Sequence, residues 1–263
     1  MEIHSFRCFG AHDGEGNPAL VIEGESSSSS ARQAFARARN VTCVWIDPSD
    51  EPDVIASVDY FYPHTRSPLC LHATLAVGRR LFELHGAEDE LTVKTSTGGQ
   101  RLGLTANTND EVFVRLQAQN VMQPVIASDL VGHLMEVPGL QPVRTPFVAS
   151  VGSPKLLVEV ANTTTLYDLE PNLPAIVAWS KDIGINGIYA YCALGNDSYE
   201  GRNFNHVDPK LEDSATGVAA GALSSILGHG VTLLQGRAIG RSCRIRTRIA
   251  GPDILVGGSV YRA

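Results

Sequence analysis

The sequence predicts an α+β fold of two similar lobes, because one layout of residues occurs twice along the 263-residue chain. In each half, small apolar residues follow polar ones, at Pro68–Ala76 and at Leu211–Leu223, as at the start of a helix. A His-Gly pair follows each segment, at residues 85–86 and 229–230, and a β-rich stretch with a glycine turn comes next. This repeated order indicates a duplicated architecture.

The first lobe, predicted for residues 1–118, consists mainly of β-strands. β-branched and aromatic residues favour these strands, whereas the alanine- and arginine-rich stretch after the serine run at 26–30 favours a helix with a solvated start. The predicted strands cover residues 3–9, 16–22 (a turn and a strand), 40–46, 57–63, 91–96, 101–105 and 111–116, and the predicted helices cover residues 31–39 and 70–82.

The second lobe, predicted for residues 119–263, repeats the order of strands around one helix of small residues. That helix is predicted to start near Ser214, and one of the last strands is a candidate to cross to the first lobe. The other predicted helices cover residues 126–134 and 174–181, and the predicted strands cover residues 146–150, 156–160, 186–193, 199–206, 231–235, 243–249 and 253–260.

The starts of the two repeated helices, near Cys70 and Ser214, are the predicted functional regions. Backbone N–H groups in a first helical turn lack intrahelical partners and attract negative charge. Asp213 or Ser214 is expected to cap the second helix. We therefore expect a sulfate, phosphate or carboxylate to bind near residues 71–73 or 216–218.

The composition excludes several classes of partner. Charged residues make up 19% of the chain and the formal net charge is -7, without a basic run, so we expect no binding to nucleic acid. No apolar run approaches the roughly 20 residues that span a bilayer, and the first residues do not resemble a signal peptide. We expect a cytoplasmic protein without a membrane partner.

The five cysteines are odd in number and widely spaced, which predicts reduced thiols rather than a disulfide framework. The sequence contains no CxxC pair, and its histidines show no metal-ligand spacing, so no metal site is expected. A free thiol is mostly protonated at neutral pH, so a catalytic cysteine needs a neighbour that stabilises its thiolate.

Four short motifs, in the right order, carry a resemblance to a known family. They are Gly16-Asn17-Pro18, Pro68-Leu69-Cys70-Leu71-His72-Ala73-Thr74-Leu75-Ala76, Glu212-Asp213-Ser214-Ala215-Thr216-Gly217, and Gln235-Gly236 with Ile239-Gly240-Arg241. In these motifs the chain resembles the PhzF-like (phenazine biosynthesis) family of isomerases, which share the two-lobed fold of diaminopimelate epimerase. The resemblance implies that each lobe wraps a mixed sheet around a central helix. It also implies an active site in the cleft between the lobes, with both helix N-termini aimed at a substrate carboxylate.

By position, the resemblance implies three catalytic residues: Cys43, His72 and Asp213. Cys43 stands where the family has the glutamate that relays the proton, within Asn40-Val41-Thr42-Cys43. The alternatives are a structural histidine at His72 and a simple N-cap at Asp213. The positions implied to bind substrate are Asn17, Cys70, Leu71, Ala73, Ser214, Thr216, Gly217 and Val218.

Several positions depart from the family pattern. Leu71 stands where the family has a glycine, and Val218 stands where it has a serine that contacts substrate. Cys70 matches the first catalytic thiol of diaminopimelate epimerase and proline racemase relatives, but Ser214 replaces the second. Cys43 is either a general base or a core cysteine, and Cys70 is either a reactive thiol or a packed one.

The resemblance predicts an isomerase or epimerase that needs no cofactor and moves a proton on a small, carboxylate-bearing, amino-acid-like substrate. A dehydratase, with the hydroxyl of Ser214 opposite Cys70, is a variant of the same hypothesis. The alternative is a non-catalytic relative that binds a small carboxylate or serves as a partner subunit. A homodimer is the default symmetric expectation.

Overall fold

The structure, a computed structural model, describes residues 1–86, 90–107, 110–204 and 212–263. These residues form two compact units: Met1–Leu116 together with Gly257–Ala263, and Gln117–Val256. The sequence predicts a boundary after residue 118, and the structure has it after Leu116. The last residues, Gly257–Ala263, belong to the first unit.

The first unit is a mixed sheet with one helix inside it and one helix outside it. Its elements are β1 (Glu2–Cys8), β2 (Asn17–Glu23), α1 (Ser29–Arg39), β3 (Thr42–Asp47), β4 (Ala56–Phe61), β5 (Arg66–Ser67), α2 (Leu71–His85), β6 (Leu91–Thr95), β7 (Arg101–Ala106), β8 (Glu111–Gln117) and the end of β15 (Asp253–Arg262).

The sheet of the first unit closes on itself. Its strand order is β1-β2-β3-β4-β6-β7-β8-β15, and β15 also pairs with β1, with Phe6 opposite Arg262. The pairs β2–β3 and β4–β6 are parallel, so the sheet is mixed. The helix α2 contacts β1, β2, β3 and β7, and most of its side chains are buried. It is therefore the central helix of the unit.

The helix α1 covers the opposite face of β2, β3 and β4. The hydroxyl of Ser28 accepts a hydrogen bond from the Ala31 N–H at 3.3 Å, so the serine run ends in an N-cap. Apolar residues of α1 and of the three strands form one buried cluster: Ile22, Ala36, Cys43, Trp45 and Phe61, with Leu20, Phe35 and Val41 packed against them.

The second unit is an open mixed sheet with helices on both faces. Its elements are the helices α3 (Leu130–Leu134), α4 (Thr163–Tyr167), α5 (Leu173–Ile183) and α6 (Gly217–Leu227), and the strands β9 (Phe147–Ala149), β10 (Lys155–Glu159), β11 (Ile188–Gly195), β12 (Ser198–Phe204), β13 (Thr232–Gln235), β14 (Cys243–Ala250) and the start of β15. Residues 205 and 206, predicted as the end of a strand, lie outside the described residues.

The strand order of the second unit is β9-β10-β11-β12-β13-β14, with β15 next to β14. Side chains from α3, α4 and α5 pack on one face, where Leu156 and Val158 of β10 belong to their cluster. The helix α6 contacts β9, β10 and β14. Its small residues allow close packing, since a Cβ atom at Gly221 would lie 2.7 Å from Cγ2 of Val151.

Two helix predictions in the second unit need correction. The helix predicted from residue 126 begins only at Leu130, because both amide atoms of Gln123 bond to the backbone of Val148 and hold the preceding segment against β9. The short helix α4 was not predicted, although Asn162 caps it by accepting a hydrogen bond from the Thr165 N–H at 2.9 Å. No helix in the part of the chain that the structure describes is long and apolar enough to cross a membrane.

Candidate active site

The N-terminus of α2 is fixed by two buried hydroxyl groups. Cys70 precedes the first helical residue in an extended conformation, and its carbonyl oxygen accepts hydrogen bonds from the N–H and hydroxyl of Thr74, at 2.9 and 2.8 Å. The hydroxyl of Tyr60 on β4 bonds to the Thr74 hydroxyl at 2.7 Å. The backbone that carries Cys70 therefore has a single well-defined position.

Cys70 and His72 form a thiol–imidazole pair at this terminus. The Cys70 Sγ lies 3.4 Å from Nδ1 and 3.7 Å from Nε2 of His72. Burial raises the pKa of the Cys70 thiol, but the charge of His72 and hydrogen bonds from His72, Tyr62 and the Ala73 N–H outweigh it, so the pKa is lowered. This geometry favours a thiolate beside an imidazolium, and such a thiolate can accept a proton.

Cys43 does not lie with this pair. Its cross-strand neighbour is Phe61, and both side chains belong to the cluster under α1, whereas the next residue on β4, Tyr60, points to α2. Burial raises the pKa of the Cys43 thiol to about 12, although Arg39 opposes the shift. The thiol is therefore protonated at neutral pH, and a catalytic role for Cys43 stays a prediction that its position does not favour.

Three other predicted residues of the first unit are buried. Leu71 and Ala73 lie in the first turn of α2, with exposed fractions of 4% and 0%. Asn17 begins β2 opposite Cys8 and is also buried. Whether these residues bind substrate stays a prediction.

The N-terminus of α6 differs from the predicted one. The helix begins at Gly217 with Thr216 as its N-cap residue, so neither Asp213 nor Ser214 occupies the cap position. The cause is an extended backbone at Asp213, which forms an isolated antiparallel bridge with Asn203 of β12. The Asp213 carboxylate instead accepts hydrogen bonds from the Thr216 hydroxyl at 2.6 Å and the Ala215 N–H at 3.4 Å.

Gln235, at the end of β13, holds this segment in place. Its Oε1 accepts hydrogen bonds from the Thr216 N–H at 3.1 Å and the Tyr189 hydroxyl at 3.0 Å. Its Nε2 donates to the Asp213 carbonyl at 2.6 Å and the Thr216 hydroxyl at 3.1 Å. The Tyr189 hydroxyl reaches Gln235 across Gly201, where any Cβ atom would overlap the phenol ring. These contacts leave the segment before α6 little freedom.

An ion pair anchors the same segment from its other side. Arg202 on β12 donates to both carboxylate oxygens of Glu212, and its Nη1 donates to the carbonyls of Leu166 and Leu169, each at 2.9 Å. Glu212 is thus neutralised and fixed immediately before Asp213.

The remaining predicted residues lie around the first turn of α6. Gly217 is buried and opens the helix, while Ser214 and Val218 are half-buried. Two further polar residues beside this terminus, Gln235 and Lys155, carried no predicted role. Gln235 lay within a family motif, and Lys155 could have been noticed as a lysine that opens an apolar strand.

One group of potential metal ligands lies elsewhere, on β1 and β2. Ligand atoms of Glu2, His4 and Glu23 lie within 4.8 Å of one another. Arg80 of α2 donates to Glu23 at 2.6 Å, so a cation already satisfies part of this group. The cluster is better explained as an ion-pair network.

Comparisons with known proteins agree with this architecture. The model of a family described as phenazine biosynthesis-like protein matches residues 6–258. The uncharacterized isomerase YddE of Salmonella typhimurium is 28% identical over 264 residues, covering 91% of this chain and 87% of that protein. A crystal structure of a PhzF-family phenazine biosynthesis protein from Bacillus anthracis has a TM-score of 0.82 at 20% identity, covering 100% of this chain and 98% of that one.

A more distant solved structure has the same fold. The crystal structure of a hydroxyproline epimerase from Agrobacterium vitis, with bound trans-4-OH-L-proline, has a TM-score of 0.57 at 12% identity and covers 99% of this chain and 90% of that one. The predicted α+β fold of two lobes, of the epimerase type, is therefore confirmed. The predicted location of the active site in a cleft stays a prediction.

Proposed function

We propose that this chain, which belongs to the phenazine biosynthesis-like family, is an isomerase that removes and returns a proton beside the carboxylate of a small, amino-acid-like substrate. The observation that carries the proposal is the Cys70–His72 pair at the N-terminus of α2, because His72 lowers the pKa of the Cys70 thiol and a thiolate can accept a proton. Curated relatives that are named isomerases support the reaction class.

The chemistry assigns a role to each group. The Cys70 thiolate takes the proton from the substrate carbon, and the His72 imidazolium keeps the thiolate ionised through its charge. The thiol formed in that step returns the proton to the substrate, and the carboxylate of Asp213, which accepts a hydrogen bond from the Thr216 hydroxyl, has the role of orienting the substrate. All these steps use side chains of the chain, so the proposed reaction requires no cofactor.

The helix termini and a structural relative support the proposed substrate class. The first turns of α2 and α6 present backbone N–H groups that favour a carboxylate. The hydroxyproline epimerase with the same fold was crystallised with an amino acid. Small amino acids and hydroxy acids are therefore the first compounds to test.

Solvent exchange tests the proposal without knowledge of the product. The protein is incubated in deuterated buffer with single amino acids and hydroxy acids, and exchange of the hydrogen next to the carboxylate is followed by NMR. We expect exchange in at least one compound, and a fall of about 100-fold to 10,000-fold in Cys70→Ala and in His72→Asn.

Cys192→Ala is the matched control, since Cys192 is also a buried thiol but belongs to the cluster between the second sheet and α3 to α5. It should exchange at the wild-type rate. Exchange that persists at that rate in Cys70→Ala would contradict the proposed role of the pair. Retention of activity after dialysis against a chelator tests the proposed independence from metals.

A second candidate is a relative that binds a small carboxylate without turnover. The observation that favours it is the buried, protonated Cys43 at the position where the family has its relay glutamate. This candidate predicts that small acids bind and raise the melting temperature, but that no tested compound exchanges deuterium. The two candidates are thus separated by one experiment.

A further inference from the structure

Tyr62, in the turn between β4 and β5, lies on the same side of the sheet as the thiol–imidazole pair. The preceding residues of β4 alternate, since Tyr60 bonds to α2 whereas Phe61 belongs to the cluster under α1. Because successive side chains of an extended chain point to opposite faces, Tyr62 points towards α2 again. Pro63 favours this continuation, since the residue before a proline is restricted to extended conformations.

The Tyr62 side chain contacts both members of the pair. Its ring centroid lies 6.5 Å from that of His72, with the two planes inclined by 42°. Its hydroxyl forms a hydrogen bond with Cys70. The exposed ring of His64 stacks on the Tyr62 ring, with centroids 5.8 Å apart and planes inclined by 6°. The phenol is therefore held between aromatic contacts while its polar end meets the sulfur.

Hydrogen bonds fix the backbone of the turn that carries this ring. The Tyr62 N–H donates to the carbonyl oxygen of Thr65 at 2.8 Å, which closes the turn. The side-chain amide of Gln33 on α1 donates to the carbonyl oxygens of Tyr62 and Pro63, at 2.8 and 3.3 Å. Since the folded chain already fixes this backbone, placing the ring against the pair costs little further conformational entropy.

Two further titratable groups interact with Cys70, and both keep their protons at neutral pH. Burial raises the pKa of the Cys8 thiol on β1 and of the Tyr60 phenol on β4. Neither group therefore supplies a charge that would stabilise a thiolate. A buried anion is costly unless it is paired and hydrogen-bonded, and a hydrogen bond to a charged group is stronger than one between neutral groups. The imidazolium of His72 supplies the charge, and the Tyr62 hydroxyl is a donor to the sulfur.

We propose that Tyr62 is a positioning residue of the pair, whose hydroxyl donates a hydrogen bond to the Cys70 thiolate and whose ring keeps the His72 imidazole beside the sulfur. This inference rests on the proposed function, since it names a group on which the proton-accepting thiolate of that reaction depends. Tyr62 acts through Cys70 and His72, and it exchanges no proton with the substrate carbon itself.

Titration of the Cys70 thiol in Tyr62→Phe tests the hydroxyl, because this variant keeps the ring. The ultraviolet absorbance of each protein is compared with that of the same protein carrying Cys70→Ser, so that the difference reports Cys70 alone. We expect the midpoint in Tyr62→Phe to lie about one pH unit above that of the wild type, as for the loss of a hydrogen bond to a charged group. Deuterium exchange should fall by about tenfold at pH values below the wild-type midpoint and recover above the new midpoint.

Tyr62→Leu, which removes the ring as well, should raise the midpoint further, because His72 then loses its aromatic neighbour. Tyr199→Phe is the matched control, since Tyr199 is another half-buried tyrosine with an aromatic neighbour, Tyr191, but lies in the second unit. Its Cys70 midpoint should equal that of the wild type.

A midpoint in Tyr62→Phe equal to that of the wild type would overturn the positioning role, and would leave the isomerase intact if the wild type exchanges deuterium. Exchange that stays low in Tyr62→Phe at every pH would also overturn it, because a merely structural defect is not repaired by raising the pH. A raised midpoint, with no exchange by the wild type in any tested compound, would overturn the isomerase and support the role of Tyr62 at the pair.

Discussion

The two central helices begin in similar places in the order of elements, but their N-termini hold different chemistry. At α2, the residue before the helix is a cysteine whose thiol contacts His72 and whose pKa is lowered. At α6, the residue before the helix is Thr216, whose N–H and hydroxyl are both engaged with Asp213 and Gln235. A duplicated arrangement has thus become one reactive terminus and one fixed terminus.

The difference has a physical origin in the neighbours of each cap. Thr74 and Tyr60 hold only the backbone of Cys70, which leaves the thiol to its interactions with His72 and Tyr62. At α6, the Gln235 side chain forms hydrogen bonds with the N–H and the hydroxyl of the cap residue, Thr216. We infer that proton transfer belongs to the first terminus, and that positioning and binding belong to the second.

The largest expected effect on stability concerns Lys155, the buried lysine that opens β10. The pKa of Lys155 is about 7 in the folded chain against an ordinary value of 10.5. Between these values the unfolded chain keeps a proton that the folded chain has lost, so this group makes the free energy of unfolding rise with pH. Lys155→Met should remove that rise and stabilise the protein at about pH 7 by about 4 kcal/mol.

Urea denaturation at several pH values between neutral and alkaline measures this effect, with Lys181→Met, which changes an exposed lysine on α5, as the control. An unchanged pH dependence in Lys155→Met would show that the lysine is solvated. The two helix termini would then not differ by a buried charge beside α6.

A smaller effect on the free energy of unfolding is expected when the hydrogen-bond network at each helix terminus is disrupted, and its size should differ between the two termini. Gln235→Leu leaves the Thr216 N–H, the Tyr189 hydroxyl and the Asp213 carbonyl without their partner, and should cost about 3 kcal/mol. Thr74→Val removes one side-chain bridge and should cost about 1 to 2 kcal/mol. Equal losses in chemical denaturation would mean that the two termini are held equally firmly.

The smallest expected effect is that of Cys43→Ala. Loss of a buried sulfur atom from the cluster under α1 should cost about 1 kcal/mol, and deuterium exchange should stay at the wild-type rate. The measurement is the exchange assay beside a melting curve. A fall in exchange of about 100-fold or more would show that Cys43 is the general base, and it would contradict the assignment of proton transfer to the α2 terminus.

Much of this fold was predictable because its signals are local. The central helix α2 and most strands follow from runs of apolar and β-branched residues, which bury one face whatever their surroundings. The start of α6 was set too early, because Asp213 and Ser214 are good cap residues in isolation. The backbone of Asp213 instead pairs with Asn203 and Gln235, which come from distant parts of the sequence.

The site was less predictable, because its chemistry depends on which side of a strand a residue faces. Cys43 occupies a family position, but only the register with Phe61 shows that it points to α1. The sequence does not show that Lys155 is buried, because its burial depends on which face of β10 it occupies. Cys70 and His72 were both singled out because they lie in one family motif, whereas the contact between their side chains is seen only in the structure.

Titration of the Cys70 thiol tests the central claim most directly. The ultraviolet absorbance of the thiolate is followed against pH in the wild type and in Cys70→Ser, so that their difference reports Cys70 alone, and the pair is repeated in the His72→Asn background. The account predicts that Cys70 ionises below about pH 8.5, the ordinary value for a free thiol, and that His72→Asn moves this titration to higher pH. A Cys70 that ionises above that value in the wild type, and at the same pH in His72→Asn, would contradict it.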